Sequence, residues 1–127
     1  MDTKKADSVT KRVLIVEDEA ILAMTVEQMI RKMGHEVVDK VSSGEEAVTA
    51  AIEQKPDLIL MDIRLRGKMN GIEAVSKIRK QMQIPVIYLT GNTDYFKMAE
   101  DEPFELTGVL RKPVSYHALH RSFDFAS

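Results

Sequence analysis

The 127 residues carry 18 basic and 20 acidic side chains, for a formal net charge of −2, and 44% of them are hydrophobic. That balance excludes broad binding to nucleic acid or to an anionic membrane by charge alone, and the length sets one domain large enough to bury a core without metal or disulfide staples. Cysteine is absent, which excludes disulfides, thiolate metal sites and thiol chemistry and suits a reducing, cytoplasmic setting.

Residues 1–11 lack the apolar core of a signal peptide and read as a flexible, solvated tail, and no apolar run approaches the length of a membrane span. Val13-Leu14-Ile15-Val16 then reads as a buried strand that stops on Glu17-Asp18-Glu19. Ile21, Leu22, Thr25, Met29, Ile30 and Met33 recur at helical spacing, and Gly34 ends that helix by taking the left-handed cap. Val37, Val38 and Val41, interrupted by Asp39-Lys40, predict an edge strand. Ser43 with Glu46 three residues on predicts a capping box for a helix whose stripe is Ala47, Val48, Ala51 and Ile52 and which Pro56 closes.

Leu58-Ile59-Leu60-Met61 is the most apolar strand of the chain, buried on both faces by its pattern, and it ends on Asp62. A loop over residues 63–70 leads to a helix bearing Ile72, Val75, Ile78 and Met82, with Lys77, Arg79 and Lys80 on its solvated face. The next strand, from Pro85 to Thr90, holds proline only at its first position, where no ladder donor is lost. A short helix is expected around Asp94 to Glu100, then an acidic stretch to Pro103. Gly108 to Arg111 is the last strand, running into Lys112-Pro113, and Ser115 caps a final helix carrying Tyr116, Leu119 and Phe123. Strands alternating with helices demand a parallel sheet covered on both faces, and right-handed crossovers make a three-layer, doubly wound, five-stranded α/β sheet the simplest architecture.

In such a sheet the carboxyl ends of the strands share one rim, so Glu17, Asp18, Asp62, Thr90 and Lys112 converge. Three packed carboxylates need a cation or must hold protons. Oxygen-only ligands favour a hard cation such as Mg²⁺, and a lysine and a threonine beside it match phosphoryl oxygens. The implied chemistry is phosphoryl transfer onto a carboxylate.

Glu17-Asp18, "LILMDIRL", "NGIEAVSKIR", "IPVIYLT" and "RKP", in that order and at these spacings, resemble the receiver (CheY-like) domain of two-component response regulators over residues 12–124, leaving 125–127 as a short tail. The resemblance implies a flavodoxin-like sheet in the order 2-1-3-4-5. It implies Asp62 as phosphoacceptor and Asp18 as a direct Mg²⁺ ligand, with Glu17 helping to hold the metal and the backbone carbonyl of Arg64 supplying a further ligand. Thr90 would bond a phosphoryl oxygen, Lys112 would pair with the phosphate, and a cis peptide would precede Pro113. The donor would be the phosphohistidine of a sensor histidine kinase or phosphotransfer protein, and the domain would assist only its own phosphorylation and dephosphorylation. Its switched face would be that of the fourth helix, fifth strand and fifth helix, turned toward a downstream protein, an output domain or a second copy in a homodimer. Receivers usually hold an aromatic residue three before the lysine; here that residue is Val109.

Other readings stand beside this one. A flavin or nucleotide would meet Glu17-Asp18-Glu19 where donors are needed, and no G-x-G-x-x-G or P-loop is present. An aspartyl hydrolase lacks a second acid two residues after Asp62, where Arg64 stands. A docking module independent of phosphorylation, or the regulatory piece of a larger protein, fits the same sequence. Met24, Met29, Met33, Met61 and Met82 read as core or edge packing, His117 and His120 as a solvated face, and Arg64 and Asn92, which flank the site, equally as residues that tune how fast water reaches the phosphoryl group or as plain soluble loop residues.

Overall fold

The computed structural model describes residues 10–91 and 106–125. Its strands are β1 (Arg12–Val16), β2 (Glu36–Val41), β3 (Leu58–Asp62), β4 (Val86–Thr90) and β5 (Thr107–Arg111). Its helices are α1 (Ala20–Lys32), α2 (Gly44–Gln54), α3 (Gly71–Arg79) and α4 (Tyr116–Phe125). The helix expected around Asp94 to Glu100, the acidic stretch after it, Asn92 and most of the N-terminal tail lie outside the described residues. All four strand pairings are parallel and the order is β2-β1-β3-β4-β5, the doubly wound sheet that the alternation demands.

Successive side chains of a strand point to opposite faces, and the core divides accordingly. Leu14, Val16, Ile59, Met61, Val86 and Tyr88 pack on one face against Ala47, Ala50 and Ala51 of α2 and Ala74, Val75 and Ile78 of α3. Val13, Ile15, Leu58, Leu60, Ile87 and Leu89 pack on the other against Ala23, Val26 and Ile30 of α1 and Leu119 and Phe123 of α4. Every residue of β3 and β4 is buried, whereas β2 is mostly half-exposed, as central and edge strands should be.

Several local expectations are corrected. The buried stripe of α1 is Ala23, Val26 and Ile30, and Ile21 is 79% exposed. Thr25 also faces outward, its hydroxyl donating to the Ile21 carbonyl at 2.9 Å. Met24 is exposed rather than packed, while Met61 is buried. In α2, Ala50 replaces Ile52 in the core. The helix stops at Gln54 because Lys55 takes the left-handed cap at φ 48°. Ser43 accepts from the Glu46 N–H at 3.1 Å, but the Glu46 carboxylate turns to the Ser42 and Ser43 hydroxyls, so only half of the expected box forms.

A complete capping box opens α3 instead, with Asn70 accepting from the Glu73 N–H and Glu73 accepting from the Asn70 N–H. That helix ends at Arg79, before Met82. Strand β2 runs through Asp39-Lys40 without a break; the register shifts instead, with Val13 opposite Val37 and Leu14 opposite Asp39. Helix α4 runs from Tyr116 to Phe125.

Arg79 is also not a solvated-face residue. Its guanidinium donates to the Ile84 carbonyl at 3.1 and 3.3 Å, the Leu106 carbonyl at 2.6 Å and the Thr107 hydroxyl at 3.2 Å. One side chain thereby ties the end of α3 to the chain entering β4 and β5.

Candidate functional site

The site lies on the rim where β1, β3, β4 and β5 end. Parallel pairing sets Val16 opposite Met61, Asp62 opposite Leu89 and Thr90 opposite Arg111, so Glu17, Asp62, Thr90 and Lys112 fall within about one residue of a common level. Glu17, Asp62 and Thr90 are no more than 3% exposed. Burying two carboxylates side by side is costly unless something positive shares the space.

Local backbone bonds aim each side chain. Glu17 Oε2 accepts from the Glu19 N–H at 3.1 Å, folding the acidic turn back on itself before α1 begins. The Glu17 N–H in turn donates to the Val41 carbonyl at 3.0 Å. Asp62 Oδ1 accepts from the Arg64 N–H at 3.0 Å, a two-residue turn that fixes the carboxylate where the strand stops. The Lys112 N–H donates to the Thr90 carbonyl at 2.8 Å, and the Lys112–Pro113 peptide is cis, as the resemblance implied.

Glycine at 71 is a steric requirement. A Cβ there would run into the Asp62 carbonyl and fall 2.8 Å from Met61 Cγ and 2.9 Å from the Ile63 Cα. The Gly71 N–H donates to the Ile63 carbonyl at 2.8 Å, so α3 begins pressed against the end of β3. This close approach was not read from the sequence, although the Asn70-Gly71 pair is the signal that could have disclosed it.

Lys112 supplies the positive charge. Its Nζ lies 3.1 Å from Glu17 Oε1 and 3.2 Å from Asp62 Oδ2. Burial works to lower the Lys112 pKa, but the charges of Asp62 and Glu17 outweigh it and hold the ammonium above its ordinary value. Glu17 is pushed up to about 7, by burial first and also by its hydrogen bond and like charge with Asp62, against the lowering effects of the Glu19 N–H and Lys112.

Glu17, Asp18 and Asp62 each offer a carboxylate oxygen, all within 4.8 Å of one another. Glu17 Oε1 is buried with no well-formed hydrogen bond; it meets the Lys112 ammonium as an ion pair only. An orphaned buried acceptor in an all-oxygen triad fits a hard divalent cation. Among the described residues this is the one such cluster. His117 and His120 stay exposed on α4, His120 lying against the Tyr116 ring at 5.9 Å between centroids. The Arg64 side chain is exposed as well, and its part in the site is made by the backbone. Val109 lies half-buried beside Tyr88 on the neighbouring strand.

A five-stranded parallel sheet in this order, with acids, a hydroxyl and a lysine gathered on its carboxyl rim, is the architecture of a phosphorylation-type signalling receiver. The model of the response regulator receiver domain matches residues 13–124, and the chain belongs to that family. It is 42% identical over 127 residues to the transcriptional regulatory protein PdtaR of Mycobacterium tuberculosis strain H37Rv, covering 98% of this chain and 60% of PdtaR. It is 36% identical to the phyllosphere-induced regulator PhyR of Methylorubrum extorquens, covering 90% of this chain and 43% of PhyR. Among solved structures, the signal receiver domain of a modulated diguanylate cyclase from Desulfovibrio desulfuricans G20 superposes with a TM-score of 0.83 at 35% identity, covering 93% of this chain and 94% of that one. The chain therefore spans about 60% or less of these two curated relatives. Receiver domains serve two-component signalling with histidine kinases and output domains; they are not conventional enzymes, and they bind Mg²⁺ through acidic residues. No helix among the described residues is long and apolar enough to cross a membrane.

Proposed function

We propose that this chain is a phosphorylation-dependent switch in which Asp62 accepts a phosphoryl group from the phosphohistidine of a sensor kinase or phosphotransfer protein. The observation that carries this reading is the bridging of buried Asp62 and Glu17 by Lys112 beside a third carboxylate, Asp18. A nearly buried carboxylate at a strand end, with an ammonium 3.2 Å away, supports attack on phosphorus in which the charge that develops is met at once.

Asp18 and Asp62 would hold Mg²⁺, with Glu17 assisting and the Arg64 carbonyl adding a ligand. Bound there, the ion supplies positive charge against the phosphoryl oxygens. In the transfer, an Asp62 carboxylate oxygen forms the new bond to phosphorus. The phosphorus–nitrogen bond of the donor breaks with its electron pair going to nitrogen, and the imidazole, already carrying a proton on its other nitrogen, leaves neutral. Thr90 donates its hydroxyl to a phosphoryl oxygen and Lys112 pairs with another. Reversal is attack on phosphorus by an in-line water, which breaks the bond to Asp62 and releases inorganic phosphate.

Phosphorylation replaces one negative charge by nearly two and adds acceptor oxygens. Those draw on Thr90 and Lys112 and bias two arrangements of the β4 and β5 ends. The readout face is that of β5 and α4, turned toward a downstream protein, an output domain or a second copy of this chain. Val109 is β-branched and cannot swing as an aromatic would, so the movement passes through the Thr90 and Lys112 backbone. A cysteine-free chain fits a cytoplasmic setting.

The test is intact mass after incubation with acetyl phosphate and Mg²⁺, for wild type and Asp62→Asn. One added phosphate that requires Mg²⁺ and vanishes in the variant is expected. If neither acetyl phosphate nor a panel of phosphorylated kinases labels a folded wild type, the docking-module reading replaces this one.

A further inference from the structure

The loop between β3 and α3 exposes three cations, Arg64, Arg66 and Lys68. One of them reaches back to the acidic cluster: Arg66 Nε lies 3.5 Å from Asp18 Oδ2. The two partners are unlike, the Arg66 side chain being 88% exposed and that of Asp18 only 13%. Every carboxylate of the triad thus has a cation beside it, Lys112 serving Glu17 and Asp62 and Arg66 serving Asp18.

The two cations are held differently. Lys112 is mostly buried, anchored by its own N–H on the Thr90 carbonyl, and placed between its two acids. Among the described residues Arg66 has one ion-pair partner, across an exposed loop, and the pair is of the kind that solvent and salt weaken most. A guanidinium is always protonated and has no lone pair to give, so it cannot join a metal's ligand set. A dication taking up Asp18 Oδ2 meets the guanidinium's like charge at close range and is opposed by it.

We infer that Arg66 is an exchangeable counter-ion of Asp18, neutralising that carboxylate in the metal-free protein and giving way to the divalent cation, so that it sets how tightly the cation binds. The inference rests on the reading of Glu17, Asp18 and Asp62 as a cation site. Arg66 is then a competitor positioned by the loop, touching neither phosphorus nor the donor. Its removal strengthens cation binding instead of weakening it, which is the opposite of what loss of a supporting contact would do.

The experiment is a Mg²⁺ titration of the full chain followed by backbone amide NMR shifts and, independently, by melting temperature, at low and at physiological ionic strength. Arg66→Ala is expected to bind Mg²⁺ about two- to fivefold more tightly at low salt, the worth of an exposed ion pair, with the gap narrowing as salt rises. Arg66→Lys is expected to stay close to wild type. Lys68→Ala removes the same charge from the same loop at an exposed residue with no ion pair to the triad among the described residues and no part in the site, and is expected to change affinity less than Arg66→Ala. Wild type that binds no Mg²⁺ overturns the cation-site reading itself. Wild type that binds Mg²⁺ with Arg66→Ala equal or weaker overturns the role of Arg66, and so does an equal gain from Lys68→Ala, which would reduce the effect to the general field of the loop.

Discussion

Lys112 and Asp62 come from strands that do not adjoin, yet Nζ and Oδ2 meet at 3.2 Å, with Glu17 Oε1 sharing the same ammonium at 3.1 Å. One cation therefore keeps two nearly buried acids together. Replacing it by methionine in Lys112→Met leaves both carboxylates facing each other in low dielectric. A fully buried pair broken in this way costs about 3–5 kcal/mol, and partial access of water at Lys112 reduces the expected loss to about 2 kcal/mol. Urea denaturation at pH 8 measures it. The loss should shrink toward pH 5, where Glu17 takes up a proton and the repulsion ends.

Glu17 itself makes the site sensitive to pH. Its ordinary value is 4.5 and its folded value about 7, so between these the folded protein holds a proton that the unfolded chain has released. Its contribution to metal-free stability therefore declines as pH rises through that window. Cation binding runs the other way, because a carboxylate must be ionised to serve it. Mg²⁺ affinity should rise about tenfold from pH 6 to pH 8, by calorimetric titration, as the ionised fraction of Glu17 grows. In Glu17→Gln this slope should largely disappear.

Gly71→Ala tests whether the site depends on how closely α3 approaches β3. The added methyl meets the Asp62 carbonyl and the Ile63 Cα, both backbone groups that cannot swing aside as a side chain tip can. Overpacking of this kind costs about 1–3 kcal/mol. Because the strain falls on Asp62 itself, phosphorylation by acetyl phosphate should slow even at temperatures where circular dichroism shows the variant folded.

His35 predicts a second pH response, at the opposite end of the sheet. Its Nδ1 accepts from the Lys11 N–H at 3.0 Å, and its ring stacks on Phe123 with centroids 4.9 Å apart. Burial, and then the positive charge of Lys11 and the neighbouring His120, hold its pKa below the ordinary 6.5. The unfolded chain therefore binds the proton first, and the stability His35 gives is present above pH 6.5 and lost as pH falls toward the folded value. The fall in melting temperature between pH 7.5 and 5.5 should be larger for wild type than for His35→Gln.

What the sequence disclosed and what it hid differ in physical kind. The strands were legible because β1, β3 and β4 are buried on both faces and so have to be apolar without interruption. The rim acids followed, since a polar residue directly after such a run can only stand at its end. The facing of α1 was misread because Ile21 and Met24 are large and apolar yet point to solvent, while small Ala23 fills the core, and spacing alone cannot rank the two. Arg79 was misread because two of its acceptors, Leu106 and Thr107, lie 27 and 28 residues onward. Arg66 was passed over for the same reason, its partner Asp18 standing on another strand's end. Contacts made by long cations across the fold leave no periodic trace.

The 2.8 Å bond from the Lys112 N–H to the Thr90 carbonyl extends the β4–β5 ladder beyond its last paired residues, into the rim itself. The two residues assigned to grip the phosphoryl oxygens are thus rivets through a single plate. A pull on either would be shared by the other, and Arg79 anchors the opposite ends of the same two strands through the Ile84 and Leu106 carbonyls. In the proposed switch such a plate would tilt as a lever, carrying a small stroke at the rim the length of β4 and β5 to whatever rests against them.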